Sequence, residues 1–444
     1  MDKNKEIAVL GAGLVGSLLS LYLAKENFKV NVYEKRQDPR KNRIDGGRSI
    51  NLALSHRGLH ALDRVGLKDK ALEFGLPMKG RMIHDVEGNL TFQPYGKEGQ
   101  AIYSISRTGL NKMLIEESEK AGTYFNFGKS CKSISLDTTQ LQFEDSATIK
   151  PDRCIGADGA FSVLRSEMQK TDRFNYAQEF LEHGYKELTI PESNGDFAMD
   201  PEALHIWPRG GFMLIALPNP DKTFTATLFF SFEGEESFKS LETKGEIIDF
   251  FERHFKDVIP LMPDLIQEFE DNPTSSLVSI SCYPWVINRS IILGDAAHAI
   301  VPFYGQGMNS GFEDCRIFFE ILEKYNFNWD ISFNKFQESR KKDADAIRDL
   351  ALANFIEMRD KVGDPQFLFR KKIEAELTRK YSEKWLSQYS MVTFSDINYS
   401  TALQDGNLKT EIVSNFVKYS EALDKQDFDS IMNEYHSKTY MGHS

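Results

Sequence analysis

Three glycine-rich phrases, far apart in a chain of 444 residues, each bring backbone amides or a carboxylate to where a phosphorylated ligand could be held. The first is Gly11-Ala12-Gly13-Leu14-Val15-Gly16. Gly11 permits a tight turn, Gly13 lets the backbone approach a pyrophosphate, and Gly16 allows a helix to pack closely on a strand. Glu34, about 18 residues after Gly16, stands near the usual spacing for a carboxylate that accepts from an adenosine ribose hydroxyl. Lys35 and Arg36 follow it directly. The pattern specifies a dinucleotide without saying which. A chance glycine-rich turn is the plainer alternative, and a strand before it with a helix after it argues against that.

The second phrase is Gly156-Ala157-Asp158-Gly159. Asp158 reads either as a further cofactor carboxylate or as an ordinary Asp-Gly turn residue. The third begins at Gly294-Asp295 and ends in Pro302-Phe303-Tyr304-Gly305-Gln306-Gly307-Met308-Asn309. Asp295 is placed to accept from a ribityl hydroxyl. A helix starting near Met308 would have free first amides, and these could stabilise negative charge on the N1–C2=O edge of a reduced flavin. In this order the phrases favour FAD.

The elements that must position these residues follow from hydrophobic pattern. Ile7-Ala8-Val9-Leu10 reads as a buried strand, Leu14–Lys25 as a helix, and Val30-Asn31-Val32-Tyr33 and Ser290-Ile291-Ile292-Leu293 as strands. Met308, Phe312, Cys315, Phe319 and Leu322 give the third phrase's helix one apolar face, read as core packing. Residues 81–84 and 90–95 alternate around Asp85-Val86-Glu87-Gly88-Asn89 and read as a β-hairpin. Strands are expected over 203–207, 212–217 and 224–230, and helices over 244–255, 344–361 and 366–383. The fold class is α/β: a Rossmann-like FAD-binding domain, a mixed β-sheet substrate domain and a helical C-terminal region. The FAD-binding part takes residues 1–78, 101–179 and 276–340, the substrate part 79–100 and 180–275, and the helical region 341–444.

Composition excludes several classes. A net charge of −12 argues against nucleic acid, which needs clustered Lys and Arg. The four cysteines form no close pair, which fits a reducing cytoplasm. The nine histidines are read as forming no metal-binding spacing, so no metal is expected. No leader sequence and no apolar run of about 18 residues stands out, so neither export nor a membrane anchor is expected. Nothing specifies an oligomeric state.

Several strings then carry a resemblance. They are Gly47-Arg48-Ser49-Ile50-Asn51-Leu52-Ala53-Leu54-Ser55, Gly80-Arg81-Met82, Gln93-Pro94-Tyr95-Gly96, Gly184-Tyr185-Lys186-Glu187-Leu188, Leu204-His205-Ile206-Trp207-Pro208, residues 302–309, and Tyr389-Ser390-Met391-Val392-Thr393-Phe394. They span nearly the whole chain. With them the sequence resembles the class A aromatic hydroxylases of the p-hydroxybenzoate hydroxylase type, and within these the kynurenine 3-monooxygenase family in its soluble bacterial form. The resemblance implies FAD, NADPH and O2, with L-kynurenine hydroxylated to 3-hydroxykynurenine through a hydroperoxide on the flavin. It implies that Arg81 and Tyr95 hold the substrate carboxylate, with Asn354 and Tyr389 also in the pocket. Arg48, Ala53, Arg107, Asp295, Met308 and Asn309 become FAD contacts, beside Gly11, Gly13, Val15, Gly16, Glu34, Lys35, Arg36, Asp158 and Gly307.

The residues themselves leave alternatives open. An arginine fork suits a carboxylate because two parallel charge-assisted bonds fix direction as well as charge. Arg81 could equally be an exposed ion pair, Tyr95 and Tyr389 buried aromatics, and Asn354 a polar helix-face residue. His298 reads as a structural turn histidine rather than a proton donor. No general acid or base is assigned, and residues 302–306 are the segment expected nearest the flavin. NADPH has no second Gly-x-Gly-x-x-Gly, which implies a shallow, transient site. A hydroxylase of another anthranilate-like or phenolic acid, or a flavin reductase, is compatible with the same cofactor motifs.

Overall fold

The computed structural model describes residues 5–41, 51–95, 99–357, 365–382, 384–419 and 421–441. Its first layer is a six-stranded sheet in the order Val286–Ile287, Ser290–Ile292, Arg153–Gly156, Glu6–Leu10, Lys29–Glu34, Tyr124–Phe127. The central strands are parallel and short, and their residues are buried on both faces, as helix-covered parallel strands require. The helices Leu14–Lys25 and Gly307–Lys324 cover it, burying Leu18, Leu19 and Leu23 from one and Phe312, Cys315, Phe319 and Leu322 from the other.

Register explains why the three glycine phrases meet. Leu10 pairs with Gly156, and Gly156 pairs with Ile292. The phrases therefore leave the same sheet edge side by side, at the carboxyl ends of the strands, where open α/β sheets bind ligands.

The second layer is a seven-stranded mixed sheet in the order Ser275–Tyr283, Asn175–Ile190, Phe224–Ser231, Met213–Pro218, Ala203–Pro208, Gly80–His84, Leu90–Pro94. The hairpin expected around Asp85 is present, with Arg81 opposite Gln93. Its first strand joins the sheet in parallel through Leu204. Lys244–His254 and Leu265–Asp271 pack on the far face around Phe230, Phe250, Phe251 and Phe269. The near face carries Met213, Phe229 and Leu277, which pack against Phe303, Tyr304 and the C-terminal helices.

Three expected boundaries shift. The strand Asn175–Ile190 runs through the 179/180 division, because it pairs with Ser275–Tyr283 along its first half and, after a register shift between Phe180 and Gly184, with Phe224–Ser231 along its second. Ser275–Tyr283 belongs to the second sheet, so 276–283 does not extend the cofactor layer. Trp329–Ile356 is one continuous helix across the 340/341 division, with Phe333, Phe336, Ile347 and Leu350 buried along its length. The next helix is Pro365–Lys380. Among the described residues no helix is long and apolar enough to cross a membrane.

Candidate active site

One cavity of about 870 Å³ joins the glycine turns of the first sheet to the near face of the second. Its cofactor-side end is shaped by glycines. Gly11 has φ +96°, and a Cβ there would stand 2.5 Å from Ala157 O. A Cβ on Gly16 would stand 2.0 Å from Gly11 O, so Gly16 serves the packing of helix on strand and does not line the cavity. Gly13 lines the cavity with nothing within 4 Å of a would-be Cβ. The three glycines thus do different work: Gly11 turns the chain against Ala157, Gly13 leaves open space toward the cavity, and Gly16 lets the helix close on the strand.

The carboxylates expected here stand around that cradle. Glu34 is buried and accepts from Ala12 N at 2.9 Å and from Arg36 N and Nε at 2.9 and 2.8 Å. Burial would raise its carboxyl, but the Arg36 and Ala12 bonds prevail and hold it below the ordinary range. Lys35 and Arg36 line the same end, with Val15 beside them. Asp158 accepts from Val163 N at 2.7 Å through one oxygen, while its other oxygen is buried and unpartnered. Asp295 is exposed to the cavity yet surrounded by protein. Desolvation pushes both carboxyls up, and Arg107 opposes the rise at Asp295. An open glycine cradle, an unpartnered Asp158 oxygen and facing Arg107 and Asp295 fit a dinucleotide with hydroxylated linkers.

Ala53, Gly307 and Met308 line the middle of the cavity. Gly305, at φ +67°, turns the chain from the short helix Pro302–Tyr304 into Gly307–Lys324. Pro302, Phe303, Tyr304, Gly305 and Gln306 also line it. No side chain caps the start of Gly307–Lys324, so its first amides carry only their dipole toward the cavity.

At the second-sheet end, Arg81, Tyr95, Tyr304 and Tyr389 converge. Tyr389 stacks on Tyr95 at 5.4 Å and on Tyr304 at 5.7 Å. The Arg81 guanidinium lies 4.7 Å from the Tyr389 ring centre and 5.6 Å from that of Tyr95. Among the described residues no carboxylate pairs with Arg81. Among the described residues, its Nε and the Tyr95 hydroxyl, both buried, have no hydrogen-bond partner. Leu204, Ile206, Ile215, Leu217 and Phe229 make the surrounding wall apolar.

Two expected contacts lie elsewhere. Asn354 is not among the cavity's lining residues; its amide donates to Phe303 O at 2.6 Å and braces the loop from behind. The Asn309 side chain is consumed structurally, accepting from Ser55 N at 2.9 Å and donating to Ala53 O and Gly305 O at 2.8 Å. Arg48 lies outside the described residues. His298 is the structural residue expected, bonded to Asp314 at 2.5 Å and stacked on Trp285.

Sequence reasoning missed a buried ionic network behind the loop. Arg57 pairs with Glu313, and Arg340 with Glu313 and Asp314. Tyr399 lies 3.9 Å over the Arg57 guanidinium and donates to Gln306 Oε1 at 3.0 Å. No local pattern marks these residues, because their partners are remote in sequence. The histidine spacing read as carrying no metal pattern includes one pair that the fold brings to a carboxylate. His56 and His60 stand one turn apart on the helix His56–Arg64, and both face Asp396.

The profile of the FAD binding domain family matches residues 4–325. The chain is 49% identical over 418 residues to kynurenine 3-monooxygenase of Cytophaga hutchinsonii, covering 92% of this chain and 93% of that protein. It is 46% identical over 425 residues to kynurenine 3-monooxygenase of Flavobacterium psychrophilum, covering 94% and 95%. Among solved structures, the tetrameric form of 2-methyl-3-hydroxypyridine-5-carboxylic acid oxygenase superposes with a TM-score of 0.67 at 16% identity, over 82% of this chain and 95% of that one. That likeness concerns the fold.

Proposed function

This chain belongs to the kynurenine 3-monooxygenase family of FAD-dependent enzymes, and we propose that it hydroxylates L-kynurenine to 3-hydroxykynurenine, using NADPH and O2. The observation that carries the substrate assignment is the pair of unpartnered donors, Arg81 Nε and the Tyr95 hydroxyl, buried in one cavity. Buried polar groups are almost always paired, so these two call for an acceptor that the described residues do not supply. An amino-acid carboxylate satisfies both. The guanidinium adds charge, and each charge-assisted bond contributes roughly 1.5–3 kcal/mol.

The first sheet then carries the cofactor and the second the substrate. Gly11 and Gly13 would cradle the pyrophosphate, Glu34 the adenosine ribose, and Asp158, Asp295 and Arg107 the remaining polar length. The flavin, when bound, accepts hydride from NADPH and activates O2 for transfer to the ring. Residues 302–308 bring backbone and aromatic side chains to the place between cofactor and substrate. The first amides of Gly307–Lys324 favour negative charge there. Arg81 and Tyr95 would fix the substrate carboxylate, with Tyr389, packed between Tyr95 and Tyr304, holding that end of the pocket together. The substrate is thereby presented in one orientation. Its own amino group activates the ring carbon ortho to it, so no side chain has to remove a proton before attack. Leu204, Ile206, Ile215, Leu217 and Phe229 exclude water, which protects the oxidant from wasteful release of hydrogen peroxide. Four free cysteines fit a reducing cytoplasm as the place of the reaction.

The test is turnover of the purified flavoprotein with NADPH, O2 and L-kynurenine. The expected product is one oxygen atom heavier and co-elutes with 3-hydroxykynurenine. NADPH loss that yields only hydrogen peroxide would redirect the search to other aromatic acids.

A further inference from the structure

We propose that His56, His60 and Asp396 form a binding site for a divalent transition metal of the zinc class, on the outer surface of the protein. The inference rests on these three side chains and is independent of the reaction proposed above. His56 and His60 are four residues apart on one helix, His56–Arg64, the spacing by which a helix presents two imidazoles to one ion. Their ring centres are 6.1 Å apart. Asp396 comes from the segment that joins the helices Gln388–Thr393 and Tyr399–Phe416. His56 Nε2 is 2.9 Å from one of its oxygens and His60 Nδ1 is 3.0 Å from the other. The three ligand atoms lie within 4.8 Å of one another.

That spacing suits an ion. Zinc bonds of about 2.0–2.2 Å in a tetrahedron hold ligand atoms about 3.3 Å apart. Replacing the protons shared by the imidazoles and the carboxylate with one cation therefore asks only for small side-chain movements. Two imidazoles and one carboxylate suit zinc, cobalt or nickel rather than calcium or magnesium, which favour all-oxygen sites. The side chains are about two-fifths exposed, at 40, 39 and 43%, so an ion can enter and water can complete its shell. Both sides of the site are held in place. The Ser395 hydroxyl donates to Met391 O and accepts from Ile397 N, and Arg57 Nε donates to Val392 O.

One group opposes the ion. Arg316 approaches the same Asp396 oxygen at 3.5 Å. It also bonds Glu320 at 2.9 Å and lies 3.6 Å from Glu313, so an entering cation can displace it without leaving it unpaired. A bound ion would tie the segment following Tyr389 to the helix following Ser55, two walls of the one cavity.

The experiment uses the full-length flavoprotein, stripped with a chelator and titrated with zinc chloride alone by calorimetry, with melting temperature and flavin content measured in parallel. Cobalt absorption reports the ligand set. The expected result is one equivalent of zinc that raises the Tm of the wild type. Affinity should fall by more than about tenfold in His60→Gln and in Asp396→Asn, with flavin content retained. His56→Gln serves as the replacement if either variant loses its flavin. Arg316→Gln should tighten binding, an effect that a purely structural role for Arg316 does not produce. Absence of saturable zinc binding in the wild type, or an unchanged affinity in the ligand variants, overturns the site.

Discussion

The hydroxyl of Tyr399 donates to Oε1 of Gln306 at 3.0 Å, so a helix from the C-terminal region is bonded directly to the loop facing the cavity. Gln306 is 1% exposed and Tyr399 fully buried. The same ring covers Arg57, which is paired with Glu313 and donates to Val392 O. Cavity wall, loop and ionic network are thus bonded into one unit, and the C-terminal helices are part of the site rather than an appendage to it.

Tyr399→Phe removes that donor and strands a buried acceptor. The expected loss is about 1–3 kcal/mol of stability, read from urea unfolding, with flavin still bound to the folded protein. A midpoint equal to wild type would mean that Gln306 finds another partner and that the link is dispensable.

Arg81→Met should raise the KM for L-kynurenine by about tenfold to a hundredfold, because a charge-assisted bond of roughly 1.5–3 kcal/mol vanishes. Flavin content should be unchanged, since Arg81 sits at the second-sheet end of the cavity. Arg81→Lys should recover little, as an ammonium cannot reproduce the fork. Steady-state kinetics with NADPH in excess decide it, and an unaltered KM removes Arg81 from the carboxylate site.

What was readable in the sequence divides along physical lines. The glycine turn, its strand and helix, the hairpin around Asp85 and the strands after Ala203 depend on neighbours in the chain, and local pattern exposes them. The grouping of Arg81, Tyr95 and Tyr389 is reached through the resemblance, since nothing local distinguishes these tyrosines from core aromatics, and the approach of Tyr304 to Tyr389 emerges only in the fold. Asn354 and Asn309 show the limit. Both flank the expected cavity, but their amides are spent on Phe303 O, Ala53 O and Gly305 O, bonds set by tertiary contact. The pairing of His56 and His60 with Asp396 is invisible for the same reason. Half of it, the four-residue histidine spacing, was present in the sequence and passed over.

Gly13→Ala and Gly16→Ala should fail differently. Gly13 has φ −73°, which alanine adopts freely, and open space where the methyl would go. The methyl would project into the cradle, so FAD affinity should drop while the apoprotein melts as wild type. At Gly16 the methyl meets Gly11 O at 2.0 Å, so the sheet and helix must separate and the fold itself weakens. Thermal melting of the two apoproteins beside their flavin content separates the roles. Equal melting temperatures would refute the division of labour.

Asp314 sets an acid limit on stability. It is fully buried, bonded to His298, to Gly294 N and to Arg340. Burial would raise its carboxyl, yet the His298 and Arg340 charges outweigh this and lower it from 3.8 to about 2. A folded value below the unfolded one means that the unfolded chain takes up the proton first as pH falls. Its contribution is therefore complete above the ordinary value of 3.8 and is lost as pH falls through that value toward about 2. The amount is on the order of 2 kcal/mol. Asp314→Asn should lower stability at neutral pH and flatten its dependence on pH across that window. Urea midpoints measured along an acid series test this, and a variant whose midpoints fall as steeply as those of wild type would place the acid sensitivity in other carboxylates.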